Sequence, residues 1–94
     1  GNGYVVLTVS QGAKAIQLAK AHPVSVAVVD YEMPEMNGHE VAMALKRIRP
    51  ALPVIMVSGH PSVPPEVLRD VDFFLPKCSG QRRLSELIDT FVRC

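Results

Sequence analysis

Val28-Val29-Asp30-Tyr31-Glu32-Met33-Pro34-Glu35-Met36-Asn37-Gly38 is the stretch on which the fold turns. An apolar run drives straight into one carboxylate. A Met-Pro pair follows, and an Asn-Gly turn closes the segment. A buried strand that ends in an acid, then a loop that cannot be helical, puts Asp30 at the carboxyl edge of a sheet. Open α/β sheets bind their ligands at that edge.

Upstream, Val24 to Val29 is nearly unbroken valine and alanine, broken only by Ser25. That is the pattern of a strand buried on both faces, as in a parallel sheet covered by helices. Tyr4 to Val9 reads as a shorter strand. Between the two, Gln11 to His22 is helix-forming, with Ser10 as a candidate cap and Pro23 as the stop. Ala15, Ile16 and Ala19 give that helix a small apolar face. Downstream of Gly38, Val41, Ala44, Leu45 and Ile48 fall at i, i+3, i+4 and i+7, a core stripe.

Pro50 and Pro53 bracket a turn, and Val54 to Val57 is a third buried strand ending at Ser58-Gly59. Pro65 suits the first turn of a short helix over Glu66 to Asp70. Val71 to Leu75 is a fourth strand. A last helix begins at Ser79 with an apolar stripe of Leu84, Leu87, Ile88, Phe91 and Val92. Strand and helix alternate four times, which predicts an α/β fold: a three-layer parallel sheet with helices on both faces. The 94 residues form one domain, 1–94.

Composition excludes several function classes. The net charge is +1, and the Arg82-Arg83 pair reads as helix surface, so direct nucleic-acid binding has no electrostatic footprint. No run reaches the ~18 apolar residues of a membrane span, and no signal peptide is visible. Cys78 and Cys94 form no CxxC and read as reduced thiols of a cytoplasmic protein. His22, His39 and His60 share no metal spacing. Met33 and Met36 read as loop packing. No GxGxxG or GxxxxGK[ST] run is present to bind a nucleotide.

Three strand ends carry the chemistry. Asp30 ends one strand, Ser58 ends the next and Lys77 follows the last. In a parallel sheet all three point to one edge. A carboxylate there can attack a phosphoryl group and hold it as an acyl phosphate. A hydroxyl can donate to one phosphoryl oxygen, and a lysine can neutralise another. A divalent cation such as Mg²⁺ would bridge the carboxylate and the phosphoryl.

The chain resembles the receiver domains of two-component response regulators. The resemblance runs from the first strand to the last helix. Val24 to Gly38 carries most of it, with Pro53 to Gly59 (PVIMVSG) and Val71 to Lys77 (VDFFLPK) next. It implies a flavodoxin-like fold with Asp30 as the phosphoacceptor, fed by a histidine kinase or a phosphotransfer protein. By the same resemblance, Ser58, Gly59 and Lys77 bind the phosphoryl group. Asp30 and the main-chain carbonyl of Glu32 hold Mg²⁺. Phe74 is the aromatic switch that works with Ser58, and Glu32 and His60 tune hydrolysis of the aspartyl phosphate. The changed face would act on an effector domain or protein of unknown kind.

Set against the family pattern, the chain departs in two places. It opens on Gly1, not methionine, which predicts that Gly1 is not the natural start. It begins at what would be the family's second strand, so the fold is expected to be N-terminally incomplete, short by about 25 residues on ordinary element lengths. The absent strand would be the central one, which carries an acidic pair. Mg²⁺ would then have a single carboxylate, a poor site. Tyr4–Val9 and Val24–Val29 would lose their shared neighbour, and the exposed edges would make a homo-oligomer by strand pairing or exchanged elements. The second departure is at Lys77: the family's lysine usually precedes a proline, whereas here Cys78 follows and Pro76 precedes, which could aim the lysine differently.

Two other functions fit the same residues. One is a receiver-like interaction module that works without phosphate. The other is an aspartate-nucleophile phosphatase of the haloacid-dehalogenase type, which needs a second Asp two residues on, where this chain has Glu32.

Overall fold

The structure, a computed structural model, describes residues 5–33 and 36–92. In chain order its elements are β1 (Val6–Val9), α1 (Gly12–Ala21), β2 (Val26–Asp30), α2 (Gly38–Ile48), β3 (Val54–Ser58), α3 (Pro65–Asp70), β4 (Phe73–Pro76), a 3₁₀ turn (Lys77–Ser79) and α4 (Gly80–Val92). Tyr4, Pro34, Glu35 and Cys94, each named in the sequence reading, lie outside the described residues.

All four strands pair in parallel, in the order β1-β2-β3-β4. The expected α/β architecture is therefore present. The expected gap beside β2 is not. Val6 to Val9 pair directly with Val26 to Val29. The physical reason lies in the main chain: unpaired N–H and C=O groups on a buried strand are costly, and β1 docks on β2 and satisfies them. The side chains of β2 need the same closure, since Val26 to Val29 are all buried.

One sheet face carries Leu7, Val9, Ala27, Val29, Val54 and Met56. Against it pack Ala15 and Ala19 of α1, Val41, Ala42 and Leu45 of α2, and Val67 of α3. Alanines let α1 and α2 lie close to each other and to the sheet. For that reason Ala42 is fully buried, while the expected Ala44 and Ile48 are only half-buried. On the opposite face α4 covers the sheet, its Leu84 lying beside Val28, Val57 and Leu75. Leu84, Leu87 and Ile88 are half-buried; Phe91 and Val92 lie outside the residues whose side chains are described.

Local chemistry sets the element ends. Asn37 caps α2, its side-chain oxygen accepting the Glu40 N–H at 3.0 Å. Ser10 does not cap α1; Gln11 holds that position with no side-chain bond. β4 starts at Phe73, not Val71, because Asp72 is bound to the start of β3. Its main-chain N–H donates to the Val54 carbonyl at 3.0 Å, and its carboxylate accepts the Val54 N–H at 2.7 Å and Lys46 Nζ at 2.5 Å.

Candidate phosphoryl-transfer site

Parallel pairing brings the three expected residues to one edge. Asp30 is the last residue of β2, Ser58 the last of β3, and Lys77 the first after β4. Asp30 Oδ2 lies 2.8 Å from Lys77 Nζ. The lysine therefore reaches the carboxylate although Cys78 follows it, and no cis peptide occurs among the described residues. Asp30 Oδ1 accepts the Glu32 N–H at 3.0 Å, which turns the chain sharply after the strand. The turn is fixed from both sides: Tyr31 N–H donates to Val57 O at 2.8 Å, and Gly38 N–H donates to Tyr31 O at 2.9 Å.

Ser58 is completely buried, and its hydroxyl is fully engaged. It donates to Glu32 Oε2 at 2.5 Å and accepts the His60 N–H at 3.0 Å. Gly59 N–H donates to the other carboxylate oxygen, Glu32 Oε1, at 2.7 Å. This use of the Glu32 side chain was not legible in the sequence, where the residue figured through its main-chain carbonyl. A carboxylate two residues after Asp30, facing a Ser-Gly step on the next strand, is the signal that could have found it.

Electrostatics follow from these contacts. Burial pushes the Glu32 carboxyl upward, but the Ser58 hydroxyl, the Gly59 N–H and the charges of His60 and Lys77 outweigh it and hold the group below its ordinary value. For Lys77 the hydrogen bond to Asp30 dominates. It outweighs burial, is joined by the charges of Asp30 and Glu32, and raises the ammonium above its ordinary value.

A cleft of about 390 Å³ opens beside Asp30 and Lys77, lined also by Thr8, Ser10 and Gly80. Because β1 pairs with β2, Ser10 and not an acid lines the cleft beside Asp30. Mg²⁺ takes oxygen ligands, usually one or two carboxylates with waters and phosphate. Among the described residues no group of three or more His, Cys, Asp or Glu could hold a metal. Both Asp30 oxygens and both Glu32 oxygens already accept hydrogen bonds within the chain. Asp30 is the one acid among the described residues lining this cleft, and a single carboxylate with waters is a poor site for a resident Mg²⁺.

Phe74 sits in β4 opposite Met56, half-buried and packed against the core. Its neighbour Phe73 is 37% exposed on the other face. Met33 and Met36 also pack on the core. His39 Nε2 lies 2.8 Å from Asp70 Oδ2, tying α2 to α3. No helix among the described residues is long and apolar enough to cross a membrane.

Residues 1–89 match the response regulator receiver domain family. The transcriptional regulatory protein GlrR of Escherichia coli is 30% identical over 90 residues, 93% of this chain and 20% of that protein. A probable transcriptional regulatory protein NarL of Mycobacterium tuberculosis is 40% identical over 60 residues, covering 64% of this chain and 28% of that protein. The chain thus spans between 20% and 28% of the length of these relatives. Among solved structures, the response regulator protein TrrA of Thermotoga maritima, in complex with Mg²⁺-BeF, superposes with a TM-score of 0.81 at 20% identity. It covers 95% of this chain and 78% of that one.

Proposed function

This chain belongs to the response regulator receiver domain family, and we propose that it is a regulatory phosphoacceptor whose acceptor is Asp30. The observation that carries this reading is the 2.8 Å contact between Asp30 Oδ2 and Lys77 Nζ at a strand edge shared with Ser58. The donor is a histidine kinase or a phosphotransfer protein of a two-component system. An Asp30 carboxylate oxygen attacks phosphorus, the phosphorus–nitrogen bond of the donor's phosphohistidine breaks, and the electron pair leaves with the imidazole. Lys77 neutralises one peripheral oxygen; the Ser58 hydroxyl and Gly59 N–H serve the others.

The same reading gives the output. Once Ser58 turns toward the phosphoryl, Phe74 takes up the space and the α3–β4–α4 face changes shape for an effector. That is a two-state packing element biased by one charged group. His60, whose N–H holds Ser58 Oγ, and Glu32 set how long the phosphoryl survives. Residues 1–94 act as one unit, in the cytoplasm, without contact to nucleic acid.

The donor set around Asp30 favours a second reading, a receiver-like module that binds its partner without phosphate. A phosphatase is not favoured, because the acid/base Asp it needs two residues after Asp30 is here Glu32, whose carboxylate faces Ser58 and Gly59. Incubation with acetyl phosphate, with and without Mg²⁺, followed by intact mass, separates the two favoured readings. One added phosphoryl group that Asp30→Asn loses supports the phosphoacceptor. No addition under either condition leaves the interaction module.

A further inference from the structure

We infer that the Glu32 carboxylate is a resident stand-in for the phosphoryl group, occupying the Ser58 hydroxyl and the Gly59 N–H until an incoming oxyanion displaces it. The inference rests on the phosphoacceptor reading for what those donors are for. It goes beyond that reading in saying what holds them beforehand.

The geometry is that of an oxyanion clamp with its ligand in place. Glu32 offers one oxygen to each donor, Oε2 to Ser58 at 2.5 Å and Oε1 to Gly59 at 2.7 Å. Both distances are those of charge-assisted hydrogen bonds. The His60 N–H, at 3.0 Å from Ser58 Oγ, fixes the hydroxyl so that its proton points to the carboxylate. Ser58 has no solvent exposure, so without Glu32 a buried hydroxyl would lose its acceptor. Lys77 is matched in the same way by Asp30. The three donors that the phosphoacceptor reading assigns to an oxyanion, Ser58, Gly59 and Lys77, are thus each met by a carboxylate of the chain itself.

Displacement is feasible because the two sides differ. Ser58 is fixed in the sheet, whereas Glu32 lies exposed on a loop residue and can turn its carboxylate into water. Its departure also removes a negative charge from the path of a phosphoryl anion. Glu32 is therefore an affinity-setting residue: it keeps free phosphate off the empty site and gives way to a group delivered covalently to Asp30.

The test is a titration with inorganic phosphate followed by the Gly59 and His60 amide resonances, in the unaltered chain, Glu32→Ala and Glu32→Gln. Hydrogen bonds to charged groups are large enough that phosphate should bind Glu32→Ala at least about tenfold tighter than the unaltered chain. Saturation should return the Gly59 amide toward its unaltered, carboxylate-bound position. Glu32→Gln, which keeps the shape without the charge, should fall between. Equal affinity in all three chains, or no phosphate binding to Glu32→Ala, overturns the inference. The readout needs no covalent step, so it stands apart from the mass assay. Tight phosphate binding by Glu32→Ala with no phosphorylation of Asp30 would sink the phosphoacceptor reading and leave the clamp. Phosphorylation of Asp30 with equal affinities would do the reverse.

Discussion

Gly38 lies against Asp30 so closely that a Cβ on it would come within 2.5 Å of the Asp30 carbonyl oxygen and 2.7 Å of Tyr31 Cα. Both neighbours are main chain and cannot step aside. Gly59, on the other wall of the site, differs: a Cβ there would meet only Glu32 Oε1, at 3.4 Å, and Gly59 is not in the left-handed region. Gly38→Ala should therefore destabilise the fold by about 1–3 kcal/mol, despite the better helix propensity of alanine. Gly59→Ala should be tolerated or stabilise by about 0.4–1 kcal/mol, through the unfolded chain. Urea unfolding of the two variants checks this; equal midpoints would contradict the close approach at Gly38.

Much of this site was readable beforehand, for a simple reason. Parallel strands all end at one edge, so a run ending in Asp30, a run ending in Ser58 and a Lys77 after the last strand must converge. What the residues could not convey was the direction of side chains leaving irregular backbone. Glu32 turns toward Ser58 because the Asp30 carboxylate caps its N–H, and that bond belongs to the loop's shape. The pairing of β1 with β2 was missed for a related reason. Strand neighbours are chosen by main-chain hydrogen bonds across the chain, and hydrophobic pattern alone does not say which edge a strand will take. On α2 the stripe kept Val41 and Leu45 but took Ala42 in place of Ala44, two positions earlier, because α1 presents alanines there.

Acid and alkali should weaken this edge for opposite reasons. Glu32 is held below its ordinary value, so its contribution is present above the unfolded value, about 4.3, and is lost as pH falls through the lowered folded value. Lys77 is held above its ordinary value, so its contribution is complete below about 10.4 and is lost as pH rises through the raised folded value. Both groups are solvent-accessible, so each arm is shallow. Thermal melts across pH should show Glu32→Gln flattening the acid arm and Lys77→Met the alkaline arm. An acid arm unchanged in Glu32→Gln would contradict the Ser58–Gly59 clamp.

The sheet leaves two outer edges, those of β1 and β4, with no described strand against them. Unpaired strand edges recruit other chains. Because β1 closes on β2, association through an internal gap is replaced by association through these flanks. Sedimentation at rising concentration should show reversible self-association, and Thr8→Lys, a charge at an exposed position of β1, should weaken it. A compact monomer at every concentration would remove the edges from consideration.

Arg49 ties together the two helices that support β1 and β2. Its Nε and Nη2 donate to Ala19 O at 3.2 and 3.1 Å, and Nη2 also donates to His22 O at 3.0 Å. A cation at these carbonyls answers the negative end of α1. Nη2 alone reaches both carbonyls, and Nε adds a second donor to Ala19 O in a fixed plane, a paired contact that the single nitrogen of an ammonium does not reproduce. Arg49→Ala should therefore cost about 1–3 kcal/mol, and Arg49→Lys should recover less than half of that in urea unfolding. Full recovery by lysine would mean that charge alone matters here, and that the fork does not set how α1 is held beneath the strand beside Asp30.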